Sequence, residues 1–158
     1  MEASTENLIK HLKDKGFNAE LQSETGQVYF IFKEKEQEFP LFFRFFESGE
    51  LLQMIAFFPI QMNSEVISDV SRLLHLLNKE LDIPGFGLDE IGGVTFFRIM
   101  LDLKDNQIDE TLLEKYINTA RLACKTFGTT IEAVVVGATT VDEMIKKAQD
   151  TVKGMETK

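Results

Sequence analysis

Residues 39–46 read Phe-Pro-Leu-Phe-Phe-Arg-Phe-Phe, five phenylalanines in eight positions. Along a β-strand side chains alternate between the two faces. Phe39, Leu41, Phe43 and Phe45 therefore share one face, and Phe42 and Phe46 the other, with Arg44 between them. The segment Leu51–Phe58 repeats the pattern: Leu51, Ile55 and Phe57 on one side, Leu52, Met54, Ala56 and Phe58 on the other. An antiparallel sheet with one wet face alternates apolar with polar residues, and these strands do not. Each Phe left in water forgoes about 1.5–3 kcal/mol, and a cluster of them is an aggregation hazard. The second face therefore needs a cover. It can be the chain's own helices, a second copy of the chain, or another protein.

The rest of the sequence supplies helices around such a sheet. Ser4 or Thr5 caps a first helix with Leu8, Ile9 and Leu12 on its apolar stripe, and Gly16 ends it. Phe17–Leu21 reads as a short edge strand. Gln27–Lys33, Phe39–Glu47 and Leu51–Phe58 form an antiparallel meander, the last two joined at Ser48-Gly49-Glu50. Asn63 and Ser64 precede a helix whose Val66, Ile67, Val70, Leu73, Leu74, Leu77 and Leu81 recur at three- and four-residue steps. Gly85–Ile91 and Val94–Leu103 are strands around a Gly92-Gly93 turn. Asp109 starts a third helix, which Gly128 stops, and a short helical stretch runs from Thr129 or Thr130 to Val136. Thr140-Val-Asp-Glu143 is a capping box for a last helix ending near Val152. The expected fold is α+β: an antiparallel sheet of about five or six strands packed with helices, in the order α-β-β-β(-β)-α-β-β-α-α. It is a single domain over residues 1–158, with 152–158 a frayed tail.

Charge and composition narrow the partners. The net charge of −9 repels phosphates and anionic lipids, so neither nucleic acid nor membrane is an expected partner. The single cysteine, Cys124, forms no intrachain disulfide, and its helical position reads as a small buried hydrophobe. Cysteine poverty and a polar start to the chain place the expected location in the cytoplasm.

Little in the sequence suggests chemistry. His11 and His75 lack ligand-type neighbours at metal spacing, so no metal or cofactor is expected. Gly85, Gly87, Gly92 and Gly93 make hairpin turns and not a phosphate loop, because no helix begins there to offer its amides. Asp102, Asp105, Asp109 and Glu110 lack calcium-loop spacing, and the last two suit a helix start. No catalytic residue is assigned, and the chain is read as a non-enzyme.

Several placements between Val66 and Val136 are shared with a known family. They are Leu77-Asn78 late in a helix, Gly85-Phe-Gly-Leu88, the Gly92-Gly93 hairpin with Val94 opening a strand, Asp109-Glu110, and Glu132-Ala-Val-Val-Val-Gly137. In these the chain resembles the YbjN family, and its element order is similar to the small acidic chaperones of type III secretion. The resemblance implies a compact, often dimeric α+β unit that holds a protein segment against its sheet or helices. No functional residue is carried over from it.

The expected function is a chaperone-like protein-binding module, a homodimer or a binder of a polypeptide client. The candidate partner-binding residues are Phe42, Arg44, Phe46, Met54 and Phe58. The alternative is a small-molecule sensor with a Phe-lined pocket on which Arg44 and Arg98 converge.

Overall fold

The computed structural model describes residues 1–156. Its elements are α1 (Thr5–Asp14), β1 (Glu20–Gln22), β2 (Gln27–Glu34), β3 (Gln37–Phe45), β4 (Leu51–Phe57), α2 (Ile67–Lys79), β5 (Phe86–Asp89), β6 (Val94–Asp102), α3 (Glu110–Val135) and α4 (Val141–Glu156). The strands form one antiparallel sheet in the order β1-β2-β3-β4-β6-β5. This is the α+β order that the hydrophobic periodicities predict.

Local chemistry sets the element ends. Ser4 accepts the Asn7 amide at 3.1 Å, which occupies one of the free donors at the start of α1. At the other end Gly16 takes a left-handed φ of 88°. The Gly16 amide donates to Lys13 and that of Phe17 to Leu12, a Schellman closure. Phe17 is thereby committed to the helix end, and its ring stacks on Phe30 at 4.3 Å. The edge strand consequently begins at Glu20 and not at Phe17. At the start of α4 both halves of the capping box form. Glu143 donates its amide to Thr140 Oγ1 at 3.2 Å, and the Thr140 amide donates to Glu143 Oε2 at 3.1 Å.

Two expected helix ends are passed by without a break. α3 runs unbroken through Gly128, where a Cβ would stand 2.6 Å from Gln37 Oε1 and 3.0 Å from Phe39 Cζ. Gly128 therefore serves close approach of helix to sheet, which the interior-glycine cost of about 1 kcal/mol does not prevent. α4 likewise passes Val152 and Gly154 and reaches Glu156, so the expected tail is helical that far. Residues 157–158 lie outside the described residues.

The helices gather on one side of the sheet. Leu8, Leu12, Val70, Leu73, Leu113, Ile117 and Ile131 pack there against Val28, Phe30, Phe39, Leu41, Phe43, Leu52, Met54, Phe97 and Ile99. α4 sits on α2, where Asp69 accepts the Val141 amide at 3.1 Å and Arg72 donates to Asp142 at 2.7 Å. α2 is pinned to β5 by one side chain. The Asn78 amide accepts from the Phe86 N–H at 2.9 Å and donates to the Phe86 carbonyl at 2.8 Å. Asn78→Ala would strand both buried groups, and is expected to cost about 2 kcal/mol of unfolding free energy in urea titration.

Candidate functional site

None of the described helices covers the other face of the sheet. The pairing register fixes which residues lie on it. Tyr29 stands opposite Phe42, Phe42 opposite Ile55, and Ile55 opposite Arg98. In neighbouring rows Ile31 meets Pro40, Phe57 meets Phe96, Arg44 meets Gln53, and Gln53 meets Met100. None of Phe42, Ile55, Phe57 and Phe96 belongs to the helix-covered core.

The aromatic rings on this face form a continuous row. Centroid separations are 5.3 Å for Tyr29–Phe42, 5.8 Å for Phe42–Phe57 and 6.4 Å for Phe57–Phe96, the last two edge to face. These are favourable geometries for aromatic pairs. The row ends over Gly87, where a Cβ would come within 2.6 Å of the Phe96 ring. Each of these aromatic side chains is half-buried by its neighbours alone, and Ile55 beneath them is 9% exposed. Ile31, at 57%, and Met100, at 38%, extend the apolar surface outward. A shallow groove runs along Leu21, Tyr29, Ile31, Pro40 and Phe42.

The five residues proposed from sequence divide between the two faces. Phe42 and Arg44 lie on the open face, and Phe46 is half-buried under the Arg44 guanidinium, 5.2 Å from its ring centre. Met54 and Phe58 are buried in the helix-covered core, at 1% and 4% exposure. The cause is register: Met54 stands opposite Phe43, not Phe42. The odd positions of β4, Gln53, Ile55 and Phe57, take their place, and Tyr29 and Phe96 complete the row.

Arg98 is also on the open face, its guanidinium 5.5 Å from the Phe96 ring centre. Neither Arg44 nor Arg98 reaches the larger cavity, about 540 Å³, on the helix side. Phe97, Phe127, Leu81 and Ile83 line that cavity, with Asp82, Lys115, Thr119 and Thr126 at its rim.

The groups with latent chemistry are held quiet or scattered. Cys124 is buried, and burial first, then the nearby Glu34 carboxylate, pushes its thiol up to about 12. His11 is clasped between Glu110 and Glu114, 3.5 Å from each, where α1 meets α3. His75 faces solvent. Among the described residues no set of three or more His, Cys, Asp or Glu side chains is placed to hold a metal ion. None of the described helices is long and apolar enough to cross a membrane.

The fold is similar to that of a crystallised protein from E. coli. That protein is YbjN, described as "a putative transcription regulator"; the match has a TM-score of 0.55 at 8% identity and covers 86% of this chain and 91% of the E. coli chain. At that identity the likeness is one of fold. The family follows from sequence: the YbjN model, described as "Putative bacterial sensory transduction regulator", matches residues 4–133, and the chain belongs to the YbjN family. No curated protein matches it. The family resemblance carried by Asn78 and Phe86 has a physical basis here, since those two residues form the α2–β5 clamp.

Proposed function

We propose that this chain is a non-enzymatic protein-binding module that engages a polypeptide on the open face of its sheet. One observation carries the reading: an aromatic row, Tyr29–Phe42–Phe57–Phe96, lies on a face that none of the described helices covers. Contiguous apolar patches rimmed by polar groups mark interaction sites. Tyr and Phe are enriched in interface cores because they cover much area at low entropic cost. The family description as a regulator of sensory transduction suits a protein that works by contact. The cytoplasm is the location this reading assigns.

A second copy of the chain is the other occupant the sequence allows, as in the expected homodimer, and light scattering distinguishes the two. A small-molecule sensor is supported by the cavity under α3, which is lined by phenylalanines as that reading requires, although its arginines lie elsewhere.

The double variant Phe42→Ser/Phe57→Ser tests the main reading. Each half-buried ring contributes about 1 kcal/mol through its aromatic neighbours, so the variant should fold, with a Tm lowered by about 5 °C. It should lose the clients that the unaltered protein captures from its native host, or the oligomer seen by light scattering. Unchanged capture and unchanged mass would remove the open face as the binding surface.

A further inference from the structure

Resting on the open face as a binding surface, we infer that its partner is an acidic, amphipathic polypeptide segment whose carboxylates pair with Arg44 and Arg98. The chain has arginines on both sides of the sheet, and they are treated differently. On the helix side Arg72 is paired with Asp142 at 2.7 Å and Arg121 with Glu34 at 3.0 Å. On the open face Arg44 and Arg98 hold no carboxylate among the described residues, and each lies over a phenylalanine ring. In a protein of net charge −9, two unneutralised guanidinium groups share the one face that lacks a helical cover.

Their positions make them part of any contact. Arg98 stands directly opposite Ile55 and between Phe96 and Met100 along β6. A partner that covers Phe42, Ile55, Phe57 and Phe96 therefore covers Arg98 as well. Taking a guanidinium out of water without an opposing charge is strongly unfavourable. The docked partner must bring an acceptor, and a carboxylate matches the planar fork of arginine with two parallel hydrogen bonds. Contact with the Phe46 and Phe96 rings, whose centres lie 5.2 and 5.5 Å from the two guanidinium carbons, restrains both side chains and limits the freedom lost on pairing.

The face's own carboxylates stand aside. Glu38 is opposite Lys33, Asp102 is opposite Leu51 at the far end of β4, Asp89 lies on the edge strand β5, and Glu20 accepts the Tyr29 hydroxyl at 3.1 Å. A face-to-face second copy would add two more arginines to the same patch, and like charges brought together under exclusion of water oppose association. An anionic bilayer would also present negative groups, but it extends past the two arginines to the rest of a chain of net charge −9, whereas a short segment meets only the arginine-bearing face.

Fluorescein-labelled peptides test the inference. A set of apolar cores, each framed by Glu, Gln or Lys, is titrated with the full chain. Glu-framed peptides should bind at least tenfold more tightly than Lys-framed ones of the same core. Arg44→Gln/Arg98→Gln should abolish that preference, and Arg44→Glu/Arg98→Glu should invert it. Equal binding of all framings, lost in Phe42→Ser/Phe57→Ser, would overturn the acidic partner while leaving the open face as the binding surface. Binding untouched by either pair of substitutions would overturn both. Absence of binding by every peptide, or sedimentation with phosphatidylglycerol vesicles in place of peptide binding, would overturn the inference.

Discussion

Phe43→Ala is expected to lower the unfolding free energy by about 3–5 kcal/mol, and Phe42→Ala, one residue away, by about 1 kcal/mol. The two are chemically identical neighbours on β3, so helix propensity, strand propensity and unfolded-state effects largely cancel between them. What differs is the face. Phe43 is 1% exposed, opposite Val28 and Met54, with its ring 5.8 Å from that of Phe30. Its loss leaves a cavity that close-packed neighbours cannot fill, which adds to the lost transfer energy. Phe42 touches Tyr29 and Phe57 on the uncovered side, and its replacement exposes their edges without making a void. Urea unfolding of the two variants gives the comparison directly, with no change in slope expected for either. Equal losses would mean that something covers the second face as fully as the helices cover the first.

The faces were legible in each strand and harder to read between strands. Alternation places Phe42 away from Phe43 and Ile55 away from Met54 without any structure. Whether Phe42 shares a face with Met54 or with Ile55 depends on the length of the β3–β4 connection. A three-residue turn at Ser48-Gly49-Glu50 pairs even positions with even ones and groups Phe42 with Met54 and Phe58. The observed connection closes with the Phe46 amide donating to Leu51 at 3.0 Å, leaving four residues between. Even positions of β3 then meet odd positions of β4, Phe42 opposite Ile55. One residue of turn moves the whole of β4 to the other face. Both strands are apolar on both sides apart from Arg44 and Gln53, and setting those two polar residues opposite each other is the signal that would have given the observed register. Lys33 and Glu38 fix register in the same way, marking the open side at the β2–β3 turn.

Glycines were ambiguous for a related reason. Gly16 and Gly137 end their helices with φ values of 88° and 73°, which an L side chain rarely adopts. Gly128 keeps helical geometry and is small because Phe39 and Gln37 approach it, while Gln37 also donates to Glu132 at 2.8 Å. A sequence shows a missing side chain in both cases, but only the packing tells a needed dihedral from a needed gap. The family motifs behaved in the opposite way. Asn78 and the Gly85-Phe-Gly segment stood out as placements without chemistry, and their meaning is mechanical. The amide clamps the Phe86 backbone, and Gly87 leaves room for the Phe96 ring that closes the aromatic row.

Cys124 in the native protein is expected to react with iodoacetamide at pH 8 at least a thousandfold more slowly than a free thiol. Burial among the residues under α3, reinforced by the Glu34 carboxylate, pushes its titration up to about 12, some three orders of magnitude in thiolate content relative to an unfolded chain. With the side chain 1% exposed, reaction then requires opening of α3, so the alkylation rate should follow the unfolding equilibrium as urea is added. The same shift carries a pH dependence of definite sign. The native state holds the thiol proton that the unfolded chain releases above about pH 8.5. The stabilisation is therefore complete below that pH, declines as pH rises, and is lost by about 12. Cys124→Ala lacks that decline but leaves a small cavity, so the variant should be the less stable protein at pH 7, with the difference narrowing by pH 10.5. Groups such as Tyr29 titrate in both proteins and cancel from the difference. A thiol that reacts rapidly in the absence of urea, with a gap independent of pH, would show that α3 opens locally at Cys124. The helical layer behind the binding face would then be mobile, and thiol chemistry would return as a candidate for what this protein does.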